Sequence, residues 1–185
     1  MKGYGILYRI FIWGDAMLHI GCDSKEYNIK NIKFEDLLEI KEWFDEEYMS
    51  LDFENLKIRF CESYFCKSEI FIKIQHEGET EAILRGRIDE EPHRELIVLC
   101  YMVRKDIRGQ GIGSFIFNKL LCEAKNMGIK NVKVLVQAGN SCVLEFWSNL
   151  GFSFIRQIEN YFYCTNKPNR DMIIFQKSMY DKNLV

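Results

Sequence analysis

Residues 96–103, LIVLCYMV, form an apolar run without a break, and a glycine-rich turn follows soon after it. Such a run needs cover on both faces, so it predicts a central strand of a sheet. Beyond the turn, apolar residues recur at helical spacing from Ile112 to Met127, and a helix is expected to end near Gly128. The order of strand, glycine turn and helix therefore predicts an α/β fold built around residues 96–103.

Strand and helix patterns alternate along the rest of the chain. The expected strands are residues 28–33, 69–75, 80–88, 132–137, 152–158 and 172–177, and the expected helices are residues 35–48, 53–66 and 141–150. Residues 5–13 and 16–22 are rich in aromatic and β-branched residues, and Gly14 and Asp15 between them predict an N-terminal hairpin. Together these elements predict a mixed α/β sheet that is flanked by helices.

The composition limits the possible functions. The 185 residues suit one domain, and the net charge of −2 provides no broad basic field for a dedicated nucleic-acid binder. Arg9 and Asp15 interrupt the apolar N-terminus, so we expect neither a membrane span nor a signal peptide. Seven scattered cysteines without a C-x-x-C pair, and three histidines without zinc-ligand spacing, predict reduced thiols, a cytoplasmic location and no metal site.

The turn RGQGIG, residues 108–113, has the features of an anion site. A glycine turn that leads into a helix presents amide N–H groups and the positive end of a dipole, and Arg108 adds a cation. The spacing fits neither a P-loop, because no lysine follows, nor the G-x-G-x-x-G dinucleotide fingerprint. A phosphate or diphosphate is therefore expected on the amides of about residues 109–114. A plain turn between strand and helix is the alternative.

Three segments resemble the GNAT superfamily of acyl-CoA-dependent N-acyltransferases. They are YMVRKDIRGQGIGSF (101–115), similar to the family's strand, pyrophosphate loop and helix; NSCVLEFWSNLGF (140–152), similar to its N-x-x-A-x-x-x-Y-x-x-x-G-F segment; and YNIKNIKFEDLLEI (27–40), similar to its first strand and helix. The resemblance implies a single N-acetyltransferase domain over residues 1–185, with a core at about 27–177 and an N-terminal extension at 1–25. It also implies a mostly antiparallel sheet that is splayed between strands 96–103 and 132–137.

The resemblance further implies where acetyl-CoA, the cosubstrate, would bind. The pantetheine arm would pair with the backbone of residues 101–103, and an amide near Met102 or Val103 would polarise the thioester carbonyl. Asn140 would reach the pantetheine, cap the following helix, or do both. The residues expected to border the cofactor are Tyr101, Met102, Val103, Arg108, Gly109, Gln110, Gly111, Ile112, Gly113, Ser114, Asn140 and Trp147.

Direct attack by a primary amine needs a base for the amine and donors for the oxyanion, and the thiolate benefits from an acid. Glu95 is the candidate base, because the resemblance to histone-type members implies a catalytic glutamate at the start of this strand. An ordinary strand-end carboxylate is the alternative, and Asp89, Glu90 and Glu91 are weaker candidates. Trp147 stands where the family often has a tyrosine acid, although its spacing also fits a core position.

Two further chemical routes are weaker. Tyr161 or Tyr163 would replace the missing acid if either reached the thiolate, but strand packing explains both. A route through an acyl-cysteine at Cys100 or Cys142 would lack a group that activates the thiol.

The acceptor is not identified by the sequence, and small molecules, peptide N-termini and lysine side chains all remain open. The acidic segment FDEEYMSLDFE (44–54) suits a cationic acceptor or simply an exposed helical face. Trp147 in place of tyrosine also supports a second function, that of a non-catalytic acyl-CoA-binding sensor. We expect no nucleic-acid or membrane partner, and a monomer or a homodimer.

Overall fold

The computed structural model describes residues 18–20, 27–43, 53–66, 68–161 and 171–180. The strands are β1 (Leu18–Ile20), β2 (Tyr27–Asn31), β3 (Glu69–His76), β4 (Glu79–Asp89), β5 (Glu95–Val103), β6 (Asn131–Gln137), β7 (Ser153–Ile158) and β8 (Met172–Ser178). The α-helices are α1 (Phe34–Ile40), α2 (Phe53–Phe65), α3 (Ile112–Asn126) and α4 (Ser141–Asn149). Short 3-10 turns follow α1 at Lys41–Trp43 and β5 at Lys105–Ile107. This order agrees with the order that the sequence predicts.

Two elements differ from the prediction or extend beyond the described residues. The α-helical part of α1 ends at Ile40, and one 3-10 turn carries the chain to Trp43, whereas the apolar spacing predicted α-helix there; residues 44–48 of the predicted helix lie outside the described residues. The tighter turn aligns residues three apart, which keeps both Ile40 and Trp43 buried. Of the predicted N-terminal hairpin, residues 18–20 form β1, and residues 1–17 and 21–22 lie outside the described residues.

The described strands form one sheet in the order β1-β2-β3-β4-β5-β6-β8-β7. Neighbouring strands are antiparallel except β5 and β6, which are parallel and are joined through α3. The mostly antiparallel sheet is therefore confirmed. β5 lies inside the sheet, as its unbroken apolar run predicted.

Different helices cover the two faces of the sheet. On the α3/α4 face, Phe117 and Trp147 belong to a core cluster that includes Leu84 of β4. On the α1/α2 face, Leu37 packs in a second cluster that includes Ile83 of the same strand. Successive residues of a strand point to opposite faces, so each strand supplies side chains to both clusters. None of the helices in the described ranges combines the length and apolar character that a bilayer crossing requires.

An irregularity in β5 positions the site. Its pairing with β4 runs from Arg85 opposite Cys100 to Gly86 opposite Val98, so Leu99 is an extra residue and forms a β-bulge. The parallel pairing with β6 ends at Val98 and Val134, although both strands continue beyond these residues. The two strands therefore diverge after Val98. This divergence, called the splay below, confirms the predicted opening of the sheet.

Candidate active site

The backbone of β5 offers an open edge to the splay. The Arg104 amide donates to the Glu81 carbonyl oxygen at 2.9 Å, which fixes the alternation of this antiparallel pair. By that alternation, the N–H and C=O groups of Met102 turn toward β4, and those of Tyr101 and Val103 turn away from it. Because β6 no longer pairs with β5 here, the polar groups of Tyr101 and Val103 border the splay. An extended ligand could pair with this edge as an added strand.

The side chain of Tyr101 ties this edge to α3. Its hydroxyl donates to the Gly113 carbonyl oxygen at 2.8 Å, and its ring meets that of Phe117 edge-on with centroids 5.0 Å apart. Burial raises the pKa of Tyr101, and the nearby Tyr27 adds to that rise, so the hydroxyl remains a protonated donor. The residue whose backbone borders the splay therefore also fixes the first turn of α3.

Two different structural reasons explain why the turn has glycine at three positions. Gly109 and Gly111 have φ of +75° and +80°, and an added Cβ at either position would meet no atom within 4 Å. These positions need glycine for their left-handed backbone. At Gly113 an added Cβ would lie 3.1 Å from Cγ2 of Val103, so this glycine lets α3 pass close to β5.

The first turn of α3 presents its amides beside the end of β5. Gly111 is the N-cap residue, and within the described residues no side chain caps this turn. The Phe115 amide makes the first helical hydrogen bond, to the Gly111 carbonyl oxygen at 3.0 Å. The amides of residues 112–114 therefore have no acceptor inside the helix, and the helix dipole adds positive potential around them. This arrangement suits a phosphate group.

The side chains of the turn brace the loop itself. The Arg108 guanidinium donates from Nε to the Val103 carbonyl oxygen at 2.8 Å and from Nη2 to the Trp43 carbonyl oxygen at 3.0 Å. The Gln110 amide donates to the Asp106 carbonyl oxygen at 2.9 Å. These contacts leave the main-chain amides, more than the guanidinium, as the groups that fit a diphosphate.

Asn140 and Trp147 occupy structural positions. The Asn140 side chain accepts a hydrogen bond from the Val143 amide at 3.2 Å and is the N-cap of α4, while its reach to pantetheine stays a prediction. Trp147 is 6% exposed, and its ring makes edge-on contacts with Phe117 and Phe152 at centroid distances of 4.8 and 5.3 Å. The core position that its spacing allowed is the one the structure shows.

Glu95 lies on the α1/α2 face, at the paired end of β5. Its carboxylate accepts a hydrogen bond from Asn131 Nδ2 at 2.9 Å and forms an ion pair with Lys133. Glu95 is three positions before Val98, where the splay begins, and this spacing is about 10 Å along a strand. Whether Glu95 acts directly or through a water stays a prediction, and this separation along the strand favours the route through water.

Two other carboxylates on this part of the α1/α2 face also form ion pairs with arginine side chains. Asp89 pairs with Arg87 at 2.8 Å, and Glu69 pairs with the buried Arg85 at 2.8 Å. Arg85 and Glu69 belong to no motif that the sequence analysis identified. The pairing of β4 with β5 shows that Arg85 lies next to the bulge, and Glu69 is its ion-pair partner. Of the weaker candidates for the base, Glu90 lies 3.2 Å from Arg94 Nε.

Among the thiols and tyrosines that the sequence offered as a nucleophile or an acid, the structure gives a physical argument against Cys100. Cys100 lies beside the bulge, and burial raises its pKa to about 11, an effect that the Arg85 cation only partly offsets. It is therefore a neutral thiol near pH 7, which argues against an acyl-cysteine. Cys142 is exposed at the start of α4, Tyr161 is exposed just after β7, and Tyr163 lies outside the described residues.

The comparisons with known proteins agree with this geometry. The sequence model of the Acetyltransferase (GNAT) family matches residues 37–152, more than half of the chain. The chain is 27% identical over 160 residues to an uncharacterised N-acetyltransferase of Methanocaldococcus jannaschii, and the match covers 80% of this chain and 70% of that protein.

Solved structures show the same fold at low sequence identity. The ribosomal-protein-S18-alanine N-acetyltransferase of Escherichia coli superposes with a TM-score of 0.65 at 20% identity, over 86% of this chain and 99% of that one. The spermidine/spermine N-acetyltransferase of Vibrio cholerae superposes with a TM-score of 0.63 at 13% identity, over 83% and 92%. With the splay beside the uncapped start of α3 and the family match over residues 37–152, the chain belongs to the GNAT acetyltransferase family and is an N-acetyltransferase.

Proposed function

We propose that the chain transfers the acetyl group of acetyl-CoA to a primary amine by direct attack within a ternary complex. The observation that carries this proposal is the splay, because it places an open strand edge beside the uncapped first turn of α3. Acetyl-CoA carries its thioester on a flexible arm and has a diphosphate at the other end of that arm. The arm suits the open strand edge, and the diphosphate suits the first turn of α3. The Tyr101 and Val103 backbone groups would pair with the arm, and the amides of residues 109–114 would hold the diphosphate.

The oxyanion donor follows from the alternation of β5. Only Tyr101 and Val103 turn their amides toward the splay, so one of these N–H groups would donate to the thioester carbonyl oxygen. The sequence left Met102 and Val103 as equal candidates. The direction of the Met102 backbone toward β4 favours Val103 of these two.

For the base, we propose that Glu95 acts through ordered water. Its side chain lies on the α1/α2 face, but about 10 Å of strand separates it from the splay. Glu95→Gln should lower kcat, while the Kd for CoA stays within about twofold. If the variant loses stability but keeps its kcat, Glu95 serves only its ion pair with Lys133.

We propose that the amine acceptor binds on the α1/α2 face. The Escherichia coli protein is named for the alanine of ribosomal protein S18 and the Vibrio cholerae protein for spermidine and spermine. We therefore propose a panel of a peptide that begins with alanine, a lysine peptide with a blocked N-terminus, and spermidine. Release of CoA thiol from acetyl-CoA with one of them is expected. Monomer or homodimer, and a cytoplasmic location, stay predictions.

A matched pair of glycine variants tests the binding half of the proposal. Gly111 and Gly128 have φ of +80° and +79°, and an added Cβ meets no atom within 4 Å at either position. Alanine at each should therefore cost a similar strain, about 1–2 kcal/mol, at the two ends of α3. Calorimetry should show weaker CoA binding for Gly111→Ala than for Gly128→Ala. Equal affinities, or no binding by the unchanged protein, would contradict the assignment.

A further inference from the structure

The Arg108 guanidinium joins two parts of the chain that are far apart in sequence. One nitrogen donates to Val103, the last residue of β5, and another donates to Trp43, the last residue of the 3-10 turn after α1. The guanidinium is planar and its donors have a fixed spacing, so the two carbonyl groups are held at a defined separation. A lysine at this position could reach only one of them at a time with comparable geometry.

At the β5 end, Arg108 contacts the edge that the proposed function uses. The Val103 carbonyl turns away from β4, as the alternation of the pair requires, and so belongs to the edge of the splay. The Arg108 hydrogen bond at 2.8 Å therefore fixes the last polar group of that edge. A ligand that pairs with the edge changes the surroundings of this bond directly.

At the other end, Arg108 contacts the acceptor side of the sheet. Trp43 is 5% exposed and packs in the α1/α2 core with Ile40 and Leu37. Met102, the neighbour of Val103, packs in the same cluster. The end of α1 is thus attached to the end of β5 through side-chain packing and through one guanidinium.

Resting on the proposed function, we propose that Arg108 is a positioning residue that couples occupation of the cofactor site to the end of α1, on the side where the amine acceptor enters. Binding of CoA stiffens the β5 edge, and the guanidinium transmits that restraint to the Trp43 carbonyl. By linkage, the same contact makes acceptor binding favour the cofactor-bound protein. This role differs from that of a side chain that binds phosphate. A positioning role predicts a change in amide exchange at residues 37–43, whereas phosphate binding alone predicts a change only at the turn.

Hydrogen–deuterium exchange with saturating coenzyme A tests this coupling in the full chain. In the unchanged protein, CoA should slow exchange both at residues 109–114 and at residues 37–43, the latter by about fivefold or more if the coupling is of ordinary size. Arg108→Lys keeps the positive charge and every main-chain amide. It should retain slowing at residues 109–114 and lose it at residues 37–43.

A neighbouring arginine provides the matched control. Arg104→Lys alters exposed ion pairs with Glu79 and Asp106 and leaves the Arg108 contacts in place, so both segments should still slow. Slowing at residues 37–43 in Arg108→Lys, or slowing at residues 109–114 alone in the unchanged protein, overturns the coupling while the proposed function stands. No slowing at residues 109–114 in the unchanged protein overturns the proposed function itself.

Discussion

The contact between Gly113 and Val103 makes a sharp prediction for Gly113→Ala. An added Cβ would lie 3.1 Å from Val103 Cγ2, whereas ordinary contacts begin at 3.4 Å, so α3 and β5 must separate by a few tenths of an ångström. Overpacking of this kind costs about 1–3 kcal/mol. Alanine in place of glycine inside a helix stabilises the helix by about 1 kcal/mol, which offsets part of that cost. The free energy of unfolding should therefore fall by no more than about 2 kcal/mol.

The same displacement should affect CoA binding more than stability. Gly113 lies in the turn that presents its amides, and Val103 lies on the strand edge, so the contact sets the distance between the two halves of the proposed site. Weakening one charge-assisted hydrogen bond there costs about 1.5–3 kcal/mol, which raises the Kd for CoA about tenfold or more. Calorimetry measures the Kd, and urea denaturation measures the free energy of unfolding.

A second substitution separates this explanation from others. Val103→Ala removes the methyl group that the new Cβ meets, and it leaves the backbone of the strand edge unchanged. The double variant should therefore bind CoA more tightly than Gly113→Ala alone. If Val103→Ala gives no recovery, the close approach between α3 and β5 does not explain the glycine, and the reasoning is refuted.

Three other contacts give predictions that stability measurements can check. Tyr101→Phe removes the second donor to the Gly113 carbonyl oxygen, which keeps its helical hydrogen bond, and should lower the free energy of unfolding by about 0.5–1.5 kcal/mol in urea; an unchanged midpoint would contradict the hydrogen bond. Lys73→Met leaves the part-buried Asp36 carboxylate without its cation and should lower the free energy of unfolding by up to about 3 kcal/mol, with partial recovery when Asp36→Asn, which keeps an acceptor for the Lys33 amide, is added; equal loss in both variants would contradict the pairing. Burial raises the pKa of Cys100 from 9.0 to about 11, so the unfolded thiol ionises first and the fold should lose stability as pH rises from 9 to 11. Cys100→Ala should lose less over that range, and parallel pH curves would contradict this.

Much of the fold was predictable because its signals are local. The unbroken apolar run of β5 and the helical spacing of α3 each depend only on neighbouring residues and on which faces are buried. The turn between β5 and α3 was predictable for the same reason, since left-handed backbone at Gly109 and Gly111 demands that residue type. The end of α1 was predicted less well, because apolar spacing does not distinguish an α-turn from the 3-10 turn that buries Trp43.

The parts that the sequence could not predict depend on pairing across the sheet. The bulge at Leu99 leaves no mark in an apolar run, yet it decides that Tyr101 and Val103 face α3 and that Cys100 and Met102 face α1. The ion pair between Glu95 and Lys133 requires the parallel register of β5 and β6. Sequence position could therefore nominate Glu95 as a base but could not give its distance from the splay.

The bulge at Leu99 has a consequence for how enzymes of this kind can diversify. Past it, the backbone groups of Tyr101 and Val103 border the splay, while the side chains of β5 alternate between two separate clusters. Side chains in the α1/α2 cluster, such as Cys100 and Met102, can thus be exchanged without changing the backbone groups that border the splay. A search for variants with a new amine substrate should therefore randomise the α1/α2 side chains first and leave the α3/α4 side chains unchanged.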